Sequence, residues 1–175
     1  MSTQTQLAVA SGSKLLTALA VMTLVSDGAI ALSTTARSLL GRDLPIIDDD
    51  VTVAHLLSHQ SGIGDYLDEA GELHDNGYPP ISAHKLASTE DYLPLLDGHP
   101  KKFSAGKHFS YCNGGFVVLA LLAERVAGAS FHDLVRHRVC EPADGARVDP
   151  PIPQLIARVH LVQQWRPVEC CRLPR

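Results

Sequence analysis

Several features that mark particular protein classes are scarce in this chain or missing from it. Its four cysteines are too few and too irregularly spaced for a disulfide framework, and no C-x-x-C pair occurs. No cluster of lysines and arginines forms a basic face and the net charge is -4, so nothing favours a nucleic-acid partner. The nine histidines include no H-E-x-x-H or H-x-H pattern, and we expect neither a metal site nor a cofactor. No apolar run is long enough to span a bilayer, so no membrane span is predicted.

The composition that remains is that of a globular domain, with 45% hydrophobic and 19% charged residues. Residues 1–31 have two interpretations. Lys14, the apolar run from Leu15 to Val25 and the small residues Ala29-Ile30-Ala31 would fit a signal peptide with an A-x-A cleavage site. Because the segment before the apolar run would carry a single positive side chain, we favour a chain without a signal peptide and a cytoplasmic localisation.

Composition divides the chain near residue 150. Residues 1–149 contain several apolar segments of helical length and hardly any alternating pattern, which predicts a mostly α region. Residues 150–175 contain five prolines, four arginines and one acidic residue. We expect this second part to be an atypical Pro/Arg-rich tail, out of frame or unstructured, with at most one helical stretch over 152–162.

The predicted helices follow from apolar runs and their capping residues. The helix over 12–26 is apolar on nearly all sides, which predicts that it is buried centrally, and Asp27-Gly28 would end it. A turn-rich connection over 29–50 follows, and Thr52 caps the next helix. The later helical segments are predicted at 53–59, 82–86, 89–96, 115–126 and 131–139, with a loop at 64–81. Gly128 would close the segment over 115–126, and Ser130 would cap the one over 131–139.

Ser11 and Lys14 lie at the beginning of the first predicted helix, three residues apart and on one helical face. A hydroxyl held beside an amine is the arrangement that a serine nucleophile with a lysine base requires. The residues alone leave an alternative, in which Ser11 is the N-cap of the helix and Lys14 lies on a solvated face.

His55 and His59 are spaced i, i+4 in a segment dense in small polar residues. This spacing would allow both to bind one metal ion. Because no third ligand is evident, we favour core or capping histidines.

Three motifs in a fixed order give the chain a resemblance to a known family. They are Ser11-Gly12-Ser13-Lys14, His55-Leu56-Leu57-Ser58-His59-Gln60-Ser61-Gly62 and Tyr111-Cys112-Asn113. On these motifs residues 7–145 resemble the serine β-lactamase and penicillin-binding-protein superfamily, in particular its class C-like branch with D-alanyl-D-alanine carboxypeptidases and esterases. The first and third motifs are similar to the family's S-x-x-K and Y-x-N. The second is similar to its H-L-L-T-H-T-S-G segment, which is structural.

The resemblance implies roles for four residues. Ser11 would be the acylated nucleophile and Lys14 its proton acceptor. Tyr111 would shuttle protons, and Asn113 would hydrogen-bond the acyl side chain of the substrate. The implied function is a serine hydrolase that acts through an acyl-serine on a β-lactam, a D-Ala-D-Ala-like peptide or a small ester. Its partner would therefore be a small-molecule acyl substrate.

The family has one more catalytic motif, K-T-G or H-x-G on a strand, and this motif is missing from the 175 residues. No lysine follows Lys107, and no Lys, Arg or His stands two residues before a glycine after Asn113. The resemblance therefore implies the helical portion of an α/β (α+β) fold, with the sheet largely missing from an apparently truncated chain. The alternative function is a catalytically inactive remnant or binding fragment, whose exposed apolar surface predicts self-association.

Overall fold

The computed structural model describes residues 10–67 and 85–144. Within these ranges the chain is mostly helical, as predicted, and contains one isolated antiparallel bridge between Thr35 and Thr52 and no strand. The α-helices are α1 (Ser13–Ser26), α2 (Ala36–Leu40), α3 (Val53–Leu57), α4 (Leu93–Leu96), α5 (Asn113–Ala127), α6 (Phe131–Val135) and α7 (Glu141–Asp144). The 3₁₀ turns Ala10–Gly12 and Glu90–Tyr92 precede α1 and α4, and the π-helical turn Arg136–Cys140 joins α6 to α7.

Helix α5 is the centre of the packing. All residues from Asn113 to Ala123 are buried, and the helix contacts α1, α2, α3 and α6. Its first turn is capped by Cys112, whose Sγ accepts the backbone N–H of Gly115. Gly128 ends the helix in the left-handed conformation, as the sequence predicts. The helix begins two residues earlier than predicted because its cap is this cysteine rather than a residue nearer the apolar run.

Helix α1 has nearly the predicted bounds, but the prediction that it is buried on all sides is wrong. The residues that α1 buries are Thr17, Ala20, Val21 and Leu24. On another face Leu15, Leu19 and Met22 are exposed by 64%, 43% and 42%. Their spacing of four and three residues aligns them into one surface, called here the apolar stripe of α1. Hydrophobicity predicted the helix correctly and did not distinguish the face that packs on α5 from the face that remains exposed.

Helix α2 lies inside the connection that was predicted to be only turn-rich. Its Arg37 side chain donates hydrogen bonds to four backbone carbonyls of the turn that follows, those of Gly41, Asp43, Leu44 and Ile47. One guanidinium thus binds four backbone acceptors of this turn, a contact set that no local helix signal reveals.

Helices α3 and α6 begin at the predicted capping residues. Thr52 and His55 cap α3 reciprocally through their side chains, and Ser130 Oγ accepts the backbone N–H of Asp133 in α6. Helix α3 ends two residues before its predicted end. Several predictions fall outside the described residues. They are most of the loop at 64–81, most of the helical segment 82–86, and the tail beyond residue 149 with its helical stretch 152–162.

Among the described helices, none is by itself both long and apolar enough to cross a membrane. Helix α5 and the helical run Phe131–Ala143 reach that length and composition only as a pair, and the pair is bent by 86°. Most of α5 is buried inside the protein.

Candidate active site

Ser11 and Tyr111 lie side by side although 100 residues separate them in the sequence. Ser11 belongs to the 3₁₀ turn before α1, and its Oγ is 2.9 Å from Tyr111 Oη, where either hydroxyl can donate the hydrogen bond. The residue that directly precedes α1 is Gly12, and no side chain caps this helix. The alternative in which Ser11 is the N-cap of α1 is therefore wrong.

Lys14 reaches the same place from the first turn of α1. Its Nζ donates a hydrogen bond of 2.9 Å to Asn113 Oδ1 and lies 4.9 Å from the centroid of the Tyr111 ring. The side chain is half-buried rather than on a solvated face. Within the described residues no hydrogen bond joins Lys14 to Ser11, so the direct partner of the Ser11 hydroxyl is the phenol. The structure thus brings together all four residues singled out from the sequence.

One loop, residues 59–65, binds the backbone of the segment that carries Tyr111 and Asn113. Four of the five residues 110–114 donate their backbone N–H groups to this loop. The acceptors are His59 O for Ser110, His59 Nδ1 for Cys112, Asp65 Oδ2 for Asn113 and Asp65 Oδ1 for Gly114. The 59–65 loop therefore holds the backbone of the Y-x-N segment.

Asp65 is a residue of this site that the sequence did not single out. Its carboxylate is buried and accepts the backbone N–H groups of Asn113 at 2.5 Å and Gly114 at 3.0 Å. Burial raises the pKa of this carboxyl, and the backbone donors partly oppose that shift. These two partners lie 48 and 49 residues away, and the same carboxylate also accepts the backbone N–H of Leu67 at 3.3 Å. The only sequence signal was an acidic residue that closes an otherwise small and apolar stretch after Gly62.

Both histidines of the 55–62 motif use a ring nitrogen as an internal acceptor. His55 Nδ1 accepts the backbone N–H of Thr52 at 3.3 Å, and His59 Nδ1 accepts that of Cys112 at 3.1 Å. In the described part of the chain no group of three or more His, Cys, Asp or Glu side chains is arranged to hold a metal ion. The two rings cap and pack here.

Cys112 stands between the two polar residues of the Y-x-N motif. Its side chain is 3% exposed, and its Sγ accepts the backbone N–H of Gly115 at 3.2 Å. Burial raises the pKa of this thiol to about 12. Since the thiolate is the nucleophilic form of cysteine, Cys112 is a capping group and not a competing nucleophile at neutral pH.

Solvent reaches the hydroxyl pair from outside the protein. Ser11 is exposed, Tyr111 is 40% exposed and Phe109 is 68% exposed. The polar groups of the site are thus positioned by α1, α5 and the 59–65 loop on the protein side, while the Ser11 hydroxyl remains accessible to a small molecule.

Comparisons with known proteins agree with this geometry. The sequence model of the β-lactamase family matches residues 1–169. A penicillin-binding protein of Bacillus halodurans has a solved structure that superposes with a TM-score of 0.73 and 35% sequence identity, covering 81% of this chain and 43% of that one. The described helices therefore have counterparts in the fold of that protein.

Two curated relatives are similar in sequence. Penicillin-binding protein 4* of Bacillus subtilis is 30% identical over 146 residues, which cover 82% of this chain and 30% of the relative. The D-aminopeptidase of Brucella ovis is 30% identical over 148 residues, which cover 82% of this chain and 26% of the relative. The chain thus spans less than a third of the length of either relative.

Proposed function

The chain belongs to the β-lactamase family, and on this premise we propose that it is a serine hydrolase whose Ser11 attacks an amide, ester or β-lactam carbonyl. One observation carries the proposal. The Ser11 and Tyr111 hydroxyls lie 2.9 Å apart at the point where Lys14 is bound by Asn113. Acyl transfer needs a nucleophile, a group that accepts its proton and a cation that stabilises negative charge. Here the accessible Ser11 hydroxyl is the nucleophile, and the Tyr111 phenol and the Lys14 ammonium lie close to it.

In the acylation step, Ser11 Oγ forms a bond to the carbonyl carbon, whose π electrons move onto the carbonyl oxygen. The Ser11 proton passes to Tyr111 Oη while the phenol's own proton passes to the leaving nitrogen or oxygen, so Tyr111 stays neutral. The Lys14 ammonium, 4.9 Å from the phenol ring, stabilises the negative charge that develops on these oxygens. When the tetrahedral intermediate collapses, the bond from carbon to the leaving nitrogen or oxygen breaks. The leaving group departs with the proton that it took from Tyr111, and the acyl group remains on Ser11 as an ester.

In the second step, water attacks the acyl ester and its proton returns to Ser11 Oγ through the same phenol. The products are a carboxylic acid and free Ser11, and water is the only co-reactant. In this scheme Tyr111 accepts the serine proton and Lys14 stabilises the developing charge. This differs from the role implied by the resemblance, in which Lys14 accepts the serine proton directly. The 2.9 Å contact of Ser11 with Tyr111 supports the phenol as the first acceptor.

We propose that turnover by these 175 residues is weak or absent. The backbone N–H of Ser11 would supply one donor of the oxyanion hole. The strand with K-T-G or H-x-G, which completes this site in the family, has no counterpart in the 175-residue sequence. Removal of one oxyanion donor slows catalysis by about 10²–10³-fold. We further infer that the described residues, which contain no strand, are the helical portion of the family's α/β (α+β) fold.

The names of two relatives support the proposed substrate class. One is a penicillin-binding protein and another a D-aminopeptidase. We propose for this chain a β-lactam, a D-Ala-D-Ala-like peptide or a small ester, since each presents an acyl carbon to a serine nucleophile.

A second candidate function is a non-catalytic binding fragment. The exposed apolar stripe of α1 favours it, because apolar surface of this kind marks a contact with another protein or segment. The lack of a K-T-G or H-x-G motif in these 175 residues also favours the binding fragment. In this candidate Ser11, Lys14 and Tyr111 keep their positions but form no acyl intermediate.

Covalent labelling separates the two candidates. The full chain is incubated with a fluorophosphonate probe or a fluorescent penicillin, and adducts are counted by intact-protein mass spectrometry. We expect one adduct on the unsubstituted protein and on Ser13→Ala, and none on Ser11→Ala. Ser13 is the matched control because it lies two residues away at the same helix start. If folded protein takes up no label, or Ser11→Ala still does, the hydrolase proposal is refuted.

A further inference from the structure

The imidazole of His59 is enclosed by the aromatic rings of the site. Its centroid lies 4.6 Å from that of Tyr111, 5.0 Å from that of Phe116 and 5.8 Å from that of Phe109, whose ring is nearly perpendicular to the imidazole. Its Nδ1 accepts the backbone N–H of Cys112 at 3.1 Å. One side chain thus contacts both the ring of Tyr111 and the peptide that follows it.

We propose that His59 is a positioning residue, which holds Tyr111 within reach of Ser11 only while its imidazole is uncharged. The proposal rests on the proposed function, because it assigns to His59 the regulation of that same site by pH. The hydrolase scheme itself uses no group of His59.

The hydrogen bond to Cys112 requires an uncharged ring. In neutral imidazole one nitrogen accepts and the other donates, whereas in the imidazolium ion both nitrogens donate. Since Nδ1 is the acceptor here, the proton of the neutral ring lies on Nε2. Protonation of Nδ1 would place its N–H opposite the backbone N–H of Cys112. Two donors cannot form a hydrogen bond, so the bond to the Cys112 peptide would be lost.

The charged and titratable groups around His59 favour the neutral ring on balance. From α1, Lys14 brings a positive charge to the same aromatic cluster, 4.9 Å and 5.8 Å from the Tyr111 and Phe116 centroids. From the 59–65 loop, Asp65 brings a negative charge, and the segment before α5 contributes the Tyr111 phenol and the Cys112 thiol. Burial and the Lys14 charge lower the pKa of His59, and Asp65 opposes them.

The Cys112 peptide is an effective point of control because it joins the two polar residues of the motif. Tyr111 contacts Ser11 on one side of it, and Asn113 binds Lys14 on the other. When the His59 Nδ1 bond is lost, the backbone N–H bonds that remain between this stretch and the 59–65 loop are that of Ser110 to His59 O and those of Asn113 and Gly114 to Asp65. Tyr111 and Cys112 lie between these bonds and are therefore the residues that would move.

Two variants separate the functions of the ring. His59→Asn keeps an acceptor near the Nδ1 position, cannot be protonated, and tolerates the backbone φ of 57° found here. His59→Phe keeps an aromatic ring and loses the acceptor. His137→Asn, at an exposed position distant in sequence, is the matched control.

The first readout is the fluorophosphonate labelling rate of Ser11 between pH 5 and pH 8. We expect the rate of the unsubstituted protein and of His137→Asn to fall in acid through one protonation. We expect the rate of His59→Asn to lose this acid limb, and His59→Phe to label up to about 10²-fold more slowly, since misplacement near 1 Å costs that much. An unchanged acid limb in His59→Asn overturns the proposal.

The second readout does not depend on activity. Long-range ¹⁵N correlation spectra of the histidine rings, with His59 identified by its loss in His59→Asn, report which nitrogen carries the proton. We expect an unprotonated Nδ1 at pH 7 and a Cys112 amide resonance that shifts with the midpoint of His59. A proton on Nδ1 at pH 7, or a Cys112 amide that ignores the His59 titration, overturns the proposal. If no form of the protein is labelled but these shifts occur, the hydrolase function fails while the positioning by His59 stands.

Discussion

The carboxylate of Asp65 accepts the backbone N–H of Asn113 at 2.5 Å, so a loop residue holds the residue that binds Lys14. Asp65→Ala would leave the backbone donors of Asn113 and Gly114 buried without this acceptor, at about 1–3 kcal/mol for each. Burial of the Asp65 charge itself opposes folding, which reduces the net loss. We expect the free energy of unfolding in urea at pH 7 to fall by about 2 kcal/mol.

The control for Asp65→Ala is Asp50→Asn, at an exposed position, which we expect to change stability by less than about 0.5 kcal/mol. A loss of similar size in both variants would contradict the assigned role of the Asp65 carboxylate.

Gly62 lies where the 59–65 loop passes close to the backbone of Phe103. A Cβ at Gly62 would come within 2.0 Å of Phe103 O, and its φ is +68°. Gly28 has a similar φ of +72°, and a Cβ there would meet nothing within 4 Å. Gly28→Ala should therefore lose only the backbone term of about 1–2 kcal/mol, while Gly62→Ala should lose several kcal/mol more or fail to fold. Equal losses in urea unfolding would show that the close approach is not rigid.

Tyr111→Phe removes the hydroxyl that contacts Ser11 and keeps the ring beside His59. We expect the labelling rate of Ser11 to fall by about 10²–10⁴-fold, which is the usual contribution of a proton-transfer group. Because the phenol is 40% exposed, its loss should leave the free energy of unfolding nearly unchanged. A labelling rate equal to that of the unsubstituted protein would assign proton transfer from Ser11 to another group.

The lowered pKa of His59 makes stability depend on pH in a defined direction. Since the unfolded chain, with a histidine pKa of 6.5, binds this proton more readily than the folded protein, the full stabilisation is present above about pH 6.5. It is lost as the pH falls through the folded pKa. We expect the urea concentration at the midpoint of unfolding to fall more between pH 7.5 and pH 5 in the unsubstituted protein than in His59→Asn. Parallel profiles would mean that His59 has the same pKa in both states.

The apolar stripe of α1 predicts self-association of this chain. Sedimentation velocity at increasing concentration should show species larger than the monomer. Replacement of Leu15, Leu19 and Met22 by glutamine should shift the protein toward monomer without unfolding it, because glutamine is a good helix former and the three positions are exposed. Leu24→Gln, at a buried position of the same helix, should instead destabilise the fold. An unsubstituted protein that stays monomeric at all concentrations would contradict the prediction.

The parts of the fold that the sequence predicted well are those whose cause is local. Thr52, Ser130 and Gly128 act on neighbouring residues of their own helices, and the helix ends follow from them. The candidate site was found because the motifs carrying Ser11, Lys14 and Tyr111 resemble those of a known family.

The features that the sequence did not reveal depend on partners distant along the chain. Asp65 acquires its importance from two backbone groups 48 and 49 residues away, and no pattern near Asp65 marks them. The short helix α2 is followed by a turn whose carbonyls bind a single side chain, Arg37. The exposed face of α1 could not be recognised from hydrophobicity, because a buried and an exposed leucine contribute equally to an apolar run.

The hydroxyl pair of Ser11 and Tyr111 also has a consequence for the order of folding. Helices α1 and α5 each form from residues close in sequence, but the contact of Ser11 with Tyr111, which lie just before these two helices, closes a loop of 100 residues. Loop closure of this length carries an entropic cost that helix formation alone does not repay. The nucleophile therefore meets its phenol only when the tertiary contacts that close this loop have formed, so recovery of the helical circular dichroism signal does not by itself show that the site is assembled.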